Sequence, residues 1–336
     1  MFKILFNTIL GIILIYIWSR FVDIPQIISN LSKVNLVYLG PVIFFMLLSP
    51  LLRAVRLKIF LSEITKIKLL DLIFLNGAAM MLNFFIPIRA GEIVKGVYLN
   101  THYKLPLGKS VIWIFIDRFV DFLAVLFLSV VLFFIIPMID PSITFTPKGQ
   151  ASLIMVITII LTTALFLTYL TVYQASLAGK LFNFLRHLLI EKHIKIYFDK
   201  FSSFILDSFS ILNRHPKDLS LMVGITVLAY AADAAIWYFS FIALQANQSF
   251  LKMYLGQLLS ALTYLVPAAP GYVGSAEASG LLILSGVFGI NPDLASAMTV
   301  LFHISSAIFV LFFGLVSVYS LKMNIGTLVK VLRKKN

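Results

Sequence analysis

The sequence predicts an all-α polytopic membrane protein with six full transmembrane helices, two opposed re-entrant helical hairpins and an inverted-topology repeat. Three observations carry that expectation. The chain is 60% hydrophobic and 12% charged, with a mean hydropathy of +1.00, a balance foreign to soluble domains. Several apolar runs reach the roughly 20 residues that a helix needs to cross a bilayer. Two more apolar stretches, 83–92 and 267–277, are interrupted by proline, glycine and one glutamate each. Breaks and charge inside hydrocarbon are costly unless they line a polar cavity, and a matched pair of them points to a transporter's substrate site.

Full spans are expected near 4–22, 35–51, 111–137, 151–173, 219–245 and 293–321. The first has a basic start at Lys3 and an apolar body, but ends in Ile17-Trp18-Ser19-Arg20 with no small-residue cleavage pattern, so it reads as a retained span. Basic clusters mark one side: Arg53, Arg56, Lys58, Lys66 and Lys68; the loop bearing Lys180, Arg186, Lys192, Lys195, Lys200, Arg214 and Lys217; and the tail from Lys322 to Lys335. The opposite ends carry only Arg20, Lys33, Lys148 and Lys252. The positive-inside rule then puts both termini in the cytoplasm, in the cell (inner) membrane, and assigns the net charge of +13 to loops facing anionic lipid rather than to nucleic acid. Arg53 and Arg56 read here as anchors at the inner end of a span, with headgroup contact as the alternative.

Parity fixes the interrupted stretches. Residues 68 and 104 fall inside, so 69–99 enters and returns from the cytoplasmic face; residues 246 and 292 fall outside, so 251–289 enters from the other. The halves 35–137 and 219–321 then form one membrane domain spanning 1–336, with every direction reversed between them. Between the halves, 174–218 places Leu181, Phe184, Leu185 and Leu188 at helical spacing among basic residues, the pattern of an amphipathic helix on the inner leaflet or of a solvated connector.

Candidate chemistry concentrates at the two tips and in one span. Pro87 ends the incoming helix, Gly91 permits a tight turn, and the returning helix starts near Ala90. Its free N–H groups suit a phosphate, and Arg89 adds a cation able to grip phosphate oxygens. Glu92 could pair with Arg89, cap the helix or carry a proton; Lys95 could snorkel or guide an anionic headgroup. At the second tip, Glu277 follows Pro270, Gly271 and Gly274 without a basic neighbour, which makes that tip acceptor-rich or proton-carrying, or else a helix N-terminal carboxylate facing the dipole. Asp117, Arg118 and Asp121 lie within one apolar span, so they must pair inward, either as a headgroup site or as a structural staple. Asp233 stands mid-span among alanines as a proton carrier or an arginine's partner.

Other chemistries find no residues. There is no cysteine, and the five histidines lack metal-ligand spacing. Gly108-Lys109-Ser110 resembles the end of a nucleotide-binding loop, but Tyr103 replaces the glycine required before it. No catalytic residue, metal, cofactor or nucleotide site is expected.

The segments Asn83 to Lys95, Asp117 to Asp121 and Pro270 to Glu277 resemble the three signatures of the flippase-like membrane domain of lysylphosphatidylglycerol synthases and their stand-alone relatives. The resemblance covers almost the whole chain. It implies that Asn83, Pro87, Arg89, Gly91, Glu92, Arg118, Asp121, Pro270, Gly271, Gly274 and Glu277 occupy the family's functional positions. Asp117 stands where the family favours Glu, Lys95 where it often has Arg, and Tyr272 where a second Gly is usual. The synthases' aminoacyl-transferase domain would follow residue 320, where this sequence has a short basic tail, so synthase activity is not expected.

The function expected is a translocase moving a phosphate-bearing lipid (a phospholipid, glycolipid or polyprenyl-phosphate type) between leaflets. Arg89, Glu92, Arg118, Asp121, Glu277, Asn83 and Lys95 would bind it, and Glu92, Glu277, Asp233 and Asp117 are the candidates for proton coupling. The alternatives are a carrier for a small anion, an intramembrane lipid-modifying enzyme, and an anchor for a biosynthetic complex. Expected partners are anionic membrane lipids, with a second copy or a biosynthetic enzyme left open.

Overall fold

The computed structural model describes residues 2–62, 65–86, 90–141, 174–188, 216–263 and 268–323, with scattered positions in 155–169 and 191–206. All regular structure among them is helical. Helix α1 (Phe2–Ser19) stops before Asp23, whose side chain accepts from Gln26 N–H and caps α2 (Ile24–Ser32). The two meet at 88°, and Trp18 Nε1 and Asp23 N–H hold the corner by donating to Ser296 Oγ and Asp293 Oδ1. The helix therefore ends three residues short of the expected limit at 22, and the chain turns into α2.

A short 3₁₀ turn capped by Asn35 leads into α3 (Leu39–Leu61). This helix runs ten residues beyond the expected end at 51 and carries Arg53 and Arg56 with it. The extension is physically sound because both guanidinium groups find carboxylates inside the bundle.

Helices α4 (Leu69–Phe85) and α5 (Ala90–Tyr103) form an antiparallel pair. Tyr103 closes its base by donating to the Asp71 carboxylate and accepting Lys68 N–H. Near the turn, Asn83 Oδ1 accepts Gly91 N–H at 2.8 Å. A Cβ on Gly91 would stand 2.3 Å from the Ala79 carbonyl oxygen, so the two backbones can approach only because residue 91 has no side chain. The turn itself, with Pro87 and Arg89, lies outside the described residues.

Helix α6 (Leu107–Ile139) is followed by α7 (Ala175–Leu188), in which Phe184 and Leu185 of the expected apolar stripe are exposed. Helix α8 (Pro216–Ala243) precedes the second broken region, made of α9 (Phe250–Thr263), a 3₁₀ turn at Pro270–Tyr272, and α10 (Ser275–Leu281), which widens into a π-helical turn at Leu282–Val287. Gly256 of α9 lies against the Phe288 ring, so this segment also doubles back. Helix α11 (Pro292–Ser320), capped by Asn291, completes the order.

Among the described residues, four helical stretches are long and apolar enough to cross a membrane: Leu36–Leu61, Trp113–Ile139, Ser220–Ala243 and Pro292–Ser320. The bent pair α1–α2 passes the same test as a fifth. The expected span near 151–173 falls largely outside the described residues. Large apolar side chains such as Ile12, Phe134, Ile308 and Phe312 face outward, which suits lipid and not water.

Helices α3 and α8 pack along their length at the centre, with Phe45 stacked on Phe239 at 5.8 Å. α4 lies on α11, where Gly77 and Gly314 let Phe313 and Met81 close in, while α9 lies on α6. Two large apolar clusters result, and they divide the long helices between them. One takes Trp113–Val120 of α6, Met222 of α8 and Val310–Leu321 of α11; the other takes Leu126–Ile136, Trp237–Phe241 and Ala295–Met298. The ionisable residues Asp121, Asp233 and His303 fall in the band between these clusters.

Candidate functional site

Arg56 is the hub of the polar band. Its side chain is completely buried, and it donates from Nε and Nη2 to the two oxygens of Asp117 at 2.9 and 3.2 Å. Nη1 donates to Asp121 and, at 2.7 Å, to Thr226 Oγ1. A guanidinium presents five donors in a planar fork, which is why one arginine can join three helices here. The Thr226 hydroxyl in turn donates a hydrogen bond to the Met222 carbonyl, so the cluster is satisfied on that side.

Around this sealed hub lies a more accessible rim. Arg118 donates to Asp117 Oδ2 at 2.6 Å and stands 3.7 Å from Asp121, while its side chain keeps 29% exposure. Arg53 pairs with Asp233 at 2.7 Å, both 20% exposed. It also donates to Ser49 and lies over the Tyr230 ring at 5.1 Å. On α5, one turn past the first break, Lys95 Nζ sits 3.4 Å from Glu92 Oε2. This is an ion pair, and no well-aligned hydrogen bond reaches the buried Glu92 Oε2 from the described residues. Arg118 and Asp117 lie within electrostatic reach of both groups.

The four cations Arg53, Arg56, Lys95 and Arg118 thus face the four carboxylates Glu92, Asp117, Asp121 and Asp233. Pairing of this kind is what allows eight charges to persist inside an apolar bundle.

The second tip is built differently. Ala269 to Gly274 turns with positive φ at Gly271 (71°), Tyr272 (58°) and Gly274 (83°). Glu277 Oε2 accepts Gly274 N–H at 2.7 Å, and Glu277 Oε1 lies 2.5 Å from His303 Nδ1 on α11. The other ring nitrogen, His303 Nε2, lies 2.7 Å from the Gly271 carbonyl oxygen. Phe84, at the end of α4, contacts Tyr272 and His303 with ring centroids 6.1 and 6.5 Å away. The ends of the two broken regions therefore meet.

The structure sorts the residues anticipated from sequence into two groups. Glu92, Lys95, Asp117, Arg118, Asp121 and Asp233 belong to one network, whereas Glu277 stands apart with His303. Asn83 and Gly91 close the first turn, and Pro270, Gly271 and Gly274 shape the second; Arg89 and Pro87 lie outside the described residues. Arg53 and Arg56, read from sequence as interfacial anchors, are instead buried partners of Asp233, Asp117 and Asp121. The clue is a charge deficit: within the apolar span Trp113–Ile139, Asp117 and Asp121 have the single cation Arg118, so another has to come from elsewhere. His303 lacks metal-ligand spacing and is not among the expected site residues, yet an ionisable residue within an apolar span is itself a functional signal.

Bundle and intramembrane charge network together define a polytopic helical membrane protein. Residues 4–314 match the family model of the lysylphosphatidylglycerol synthase TM region, and the chain belongs to that family, which ties it to lipid-related function. All three signature segments lie within the matched span. A search of curated proteins finds no significant match.

Proposed function

We propose that this protein moves a phosphate-bearing lipid between the leaflets of the cell membrane. In this reading α4–α5 and α9–α10 are re-entrant hairpins entering from opposite faces, with both termini cytoplasmic. The packing supports an inverted repeat: α3 pairs with α8, and the first helix of each hairpin rests on the long helix of the other half, α4 on α11 and α9 on α6.

The observation that carries the proposal is the accessible rim of a charge-compensated network. Arg118 offers a partly exposed guanidinium, and a phosphate competing with Asp117 and Asp121 for it has good geometry. Because the described cations and carboxylates of the network cancel, the further positive charge of Arg89, adjoining α5 in sequence, matches the single negative charge of a phosphodiester. Glu92 Oε2, reached by no well-aligned hydrogen bond from the described residues, can accept from a hydroxyl or amine on the same headgroup. The acyl chains stay in the bilayer, no covalent step is involved, and the partners are anionic membrane lipids.

The test uses purified protein in liposomes carrying a trace of labelled anionic phospholipid, with leaflet exposure read by chemical quenching. Faster exchange than in protein-free vesicles supports the proposal. Unchanged exchange for every phosphate-bearing lipid tried, alongside uptake of a small soluble anion, would replace it with a carrier function.

A further inference from the structure

We infer that Glu277 and His303 form a proton-binding site whose shared proton fastens the second hairpin tip to α11. The argument is one of donors and acceptors. Both ring nitrogens of His303 face oxygens, Glu277 Oε1 at 2.5 Å and the Gly271 carbonyl at 2.7 Å. A carbonyl oxygen only accepts, so Nε2 carries a hydrogen. A neutral imidazole has no second one to give. The Nδ1–Oε1 contact therefore holds another proton, on the ring or on the carboxyl, and either way the pair is electrically neutral. That neutrality suits a site whose side chains are only 14% and 9% exposed.

Removing the proton leaves a carboxylate against a nitrogen lone pair at a distance neither tolerates. Rotation of the His303 ring relieves the repulsion and takes Nε2 away from the Gly271 carbonyl, a tie between the tip's turn and α11. What remains is Glu277 bonded to Gly274 N–H within its own hairpin. The proton thus determines whether the tip's turn is hydrogen-bonded to α11 through His303.

No other described charge competes for the pair. On the elements packed around it, Asp71 at the far end of α4 accepts from Tyr103, and Asp293 in the first turn of α11 accepts from Asp23 N–H. Lys252 lies in the first turn of α9, and Lys3 in the first turn of α1. The titratable neighbour is Tyr272, whose ring packs on Phe84. Through Phe84 the site also touches the first hairpin. If the protein moves lipid as proposed above, proton release here frees one tip relative to the other and couples that movement to a pH gradient.

The chain has no cysteine, so spin labels can be placed through Val273→Cys and Ile308→Cys, both at exposed positions. In lipid nanodiscs the interlabel distance distribution should shift between about pH 5 and about pH 9, the range in which histidine sites titrate. The shift should vanish in His303→Gln and in Glu277→Gln. An unchanged distribution in the parent, or the same shift retained in both variants, overturns the site. Since this reading needs no lipid transport, it stands or falls separately from the proposed function. In liposomes, lipid exchange should quicken severalfold under a pH gradient, and His303→Gln should lose that response while keeping exchange without a gradient. Exchange indifferent to the gradient overturns the coupling even where the spin labels respond.

Discussion

Arg56 and Asp117 meet side-on in the middle of the bundle, Nε to Oδ1 at 2.9 Å and Nη2 to Oδ2 at 3.2 Å, with side-chain exposures of 0% and 2%. Neither group has water to fall back on. Arg56→Ala would strand the carboxylates of Asp117 and Asp121, and breaking a buried pair in this way costs about 3–5 kcal/mol. Arg56→Lys should recover little of it, because one ammonium cannot reach Asp117, Asp121 and Thr226 together. Thermal unfolding of the purified variants in detergent measures both.

Arg118 should separate function from folding. Asp117 keeps its bidentate bonds to Arg56 when Arg118 is removed, and Gln can still donate to it, so Arg118→Gln should destabilise the fold less than Arg56→Ala. Lipid exchange in liposomes should nevertheless fall by about tenfold or more, the worth of a charged hydrogen bond to phosphate. Wild-type exchange in a folded Arg118→Gln protein would remove this residue from the site.

Arg53 and Asp233 join α3 to α8 by a single contact at 2.7 Å. A double-mutant cycle over Arg53→Ala and Asp233→Ala should return a coupling of about 0.5–3 kcal/mol in thermal unfolding. A coupling near zero would mean that the pair is replaceable by solvent.

The first hairpin depends on Gly91. Gly91→Ala places a Cβ 2.3 Å from the Ala79 carbonyl oxygen, and since both partners are backbone, α4 and α5 must separate. The expected penalty is about 1–3 kcal/mol, as for overpacking elsewhere. Asn83→Ala loses one hydrogen bond to Gly91 N–H and should cost about 1 kcal/mol. Melting of the two variants side by side tests the order.

Much of this architecture is written locally in the chain. Pro87, two residues past the end of α4, and Pro270 and Gly271, in the turn before α10, interrupt apolar runs, so both breaks are legible in the sequence. Partner choice is not. Arg56 lies 61 positions from Asp117, and nothing near it in sequence separates a buried hub from an interfacial anchor. The end of α3 at Leu61, beyond the expected 51, has the same cause, since hydropathy counts an arginine as an exit from the membrane whether or not a distant aspartate neutralises it. His303 belongs to this class too: its meaning comes from Glu277 and Gly271, which only folding brings to it.

The seat of α1 has a consequence for biogenesis. Trp18 binds Ser296 across 278 positions, and Gly11 lies so close to the turn before α10 that a Cβ there would sit 2.8 Å from the Val273 carbonyl oxygen. During synthesis α1 leaves the ribosome long before either partner exists. It must wait in the bilayer, or with the insertion machinery, until nearly the whole chain has followed. Docking of α1 is then among the closing steps of assembly, and nascent chains halted before residue 296 should carry an α1 that crosslinks to lipid or insertase rather than to its own protein.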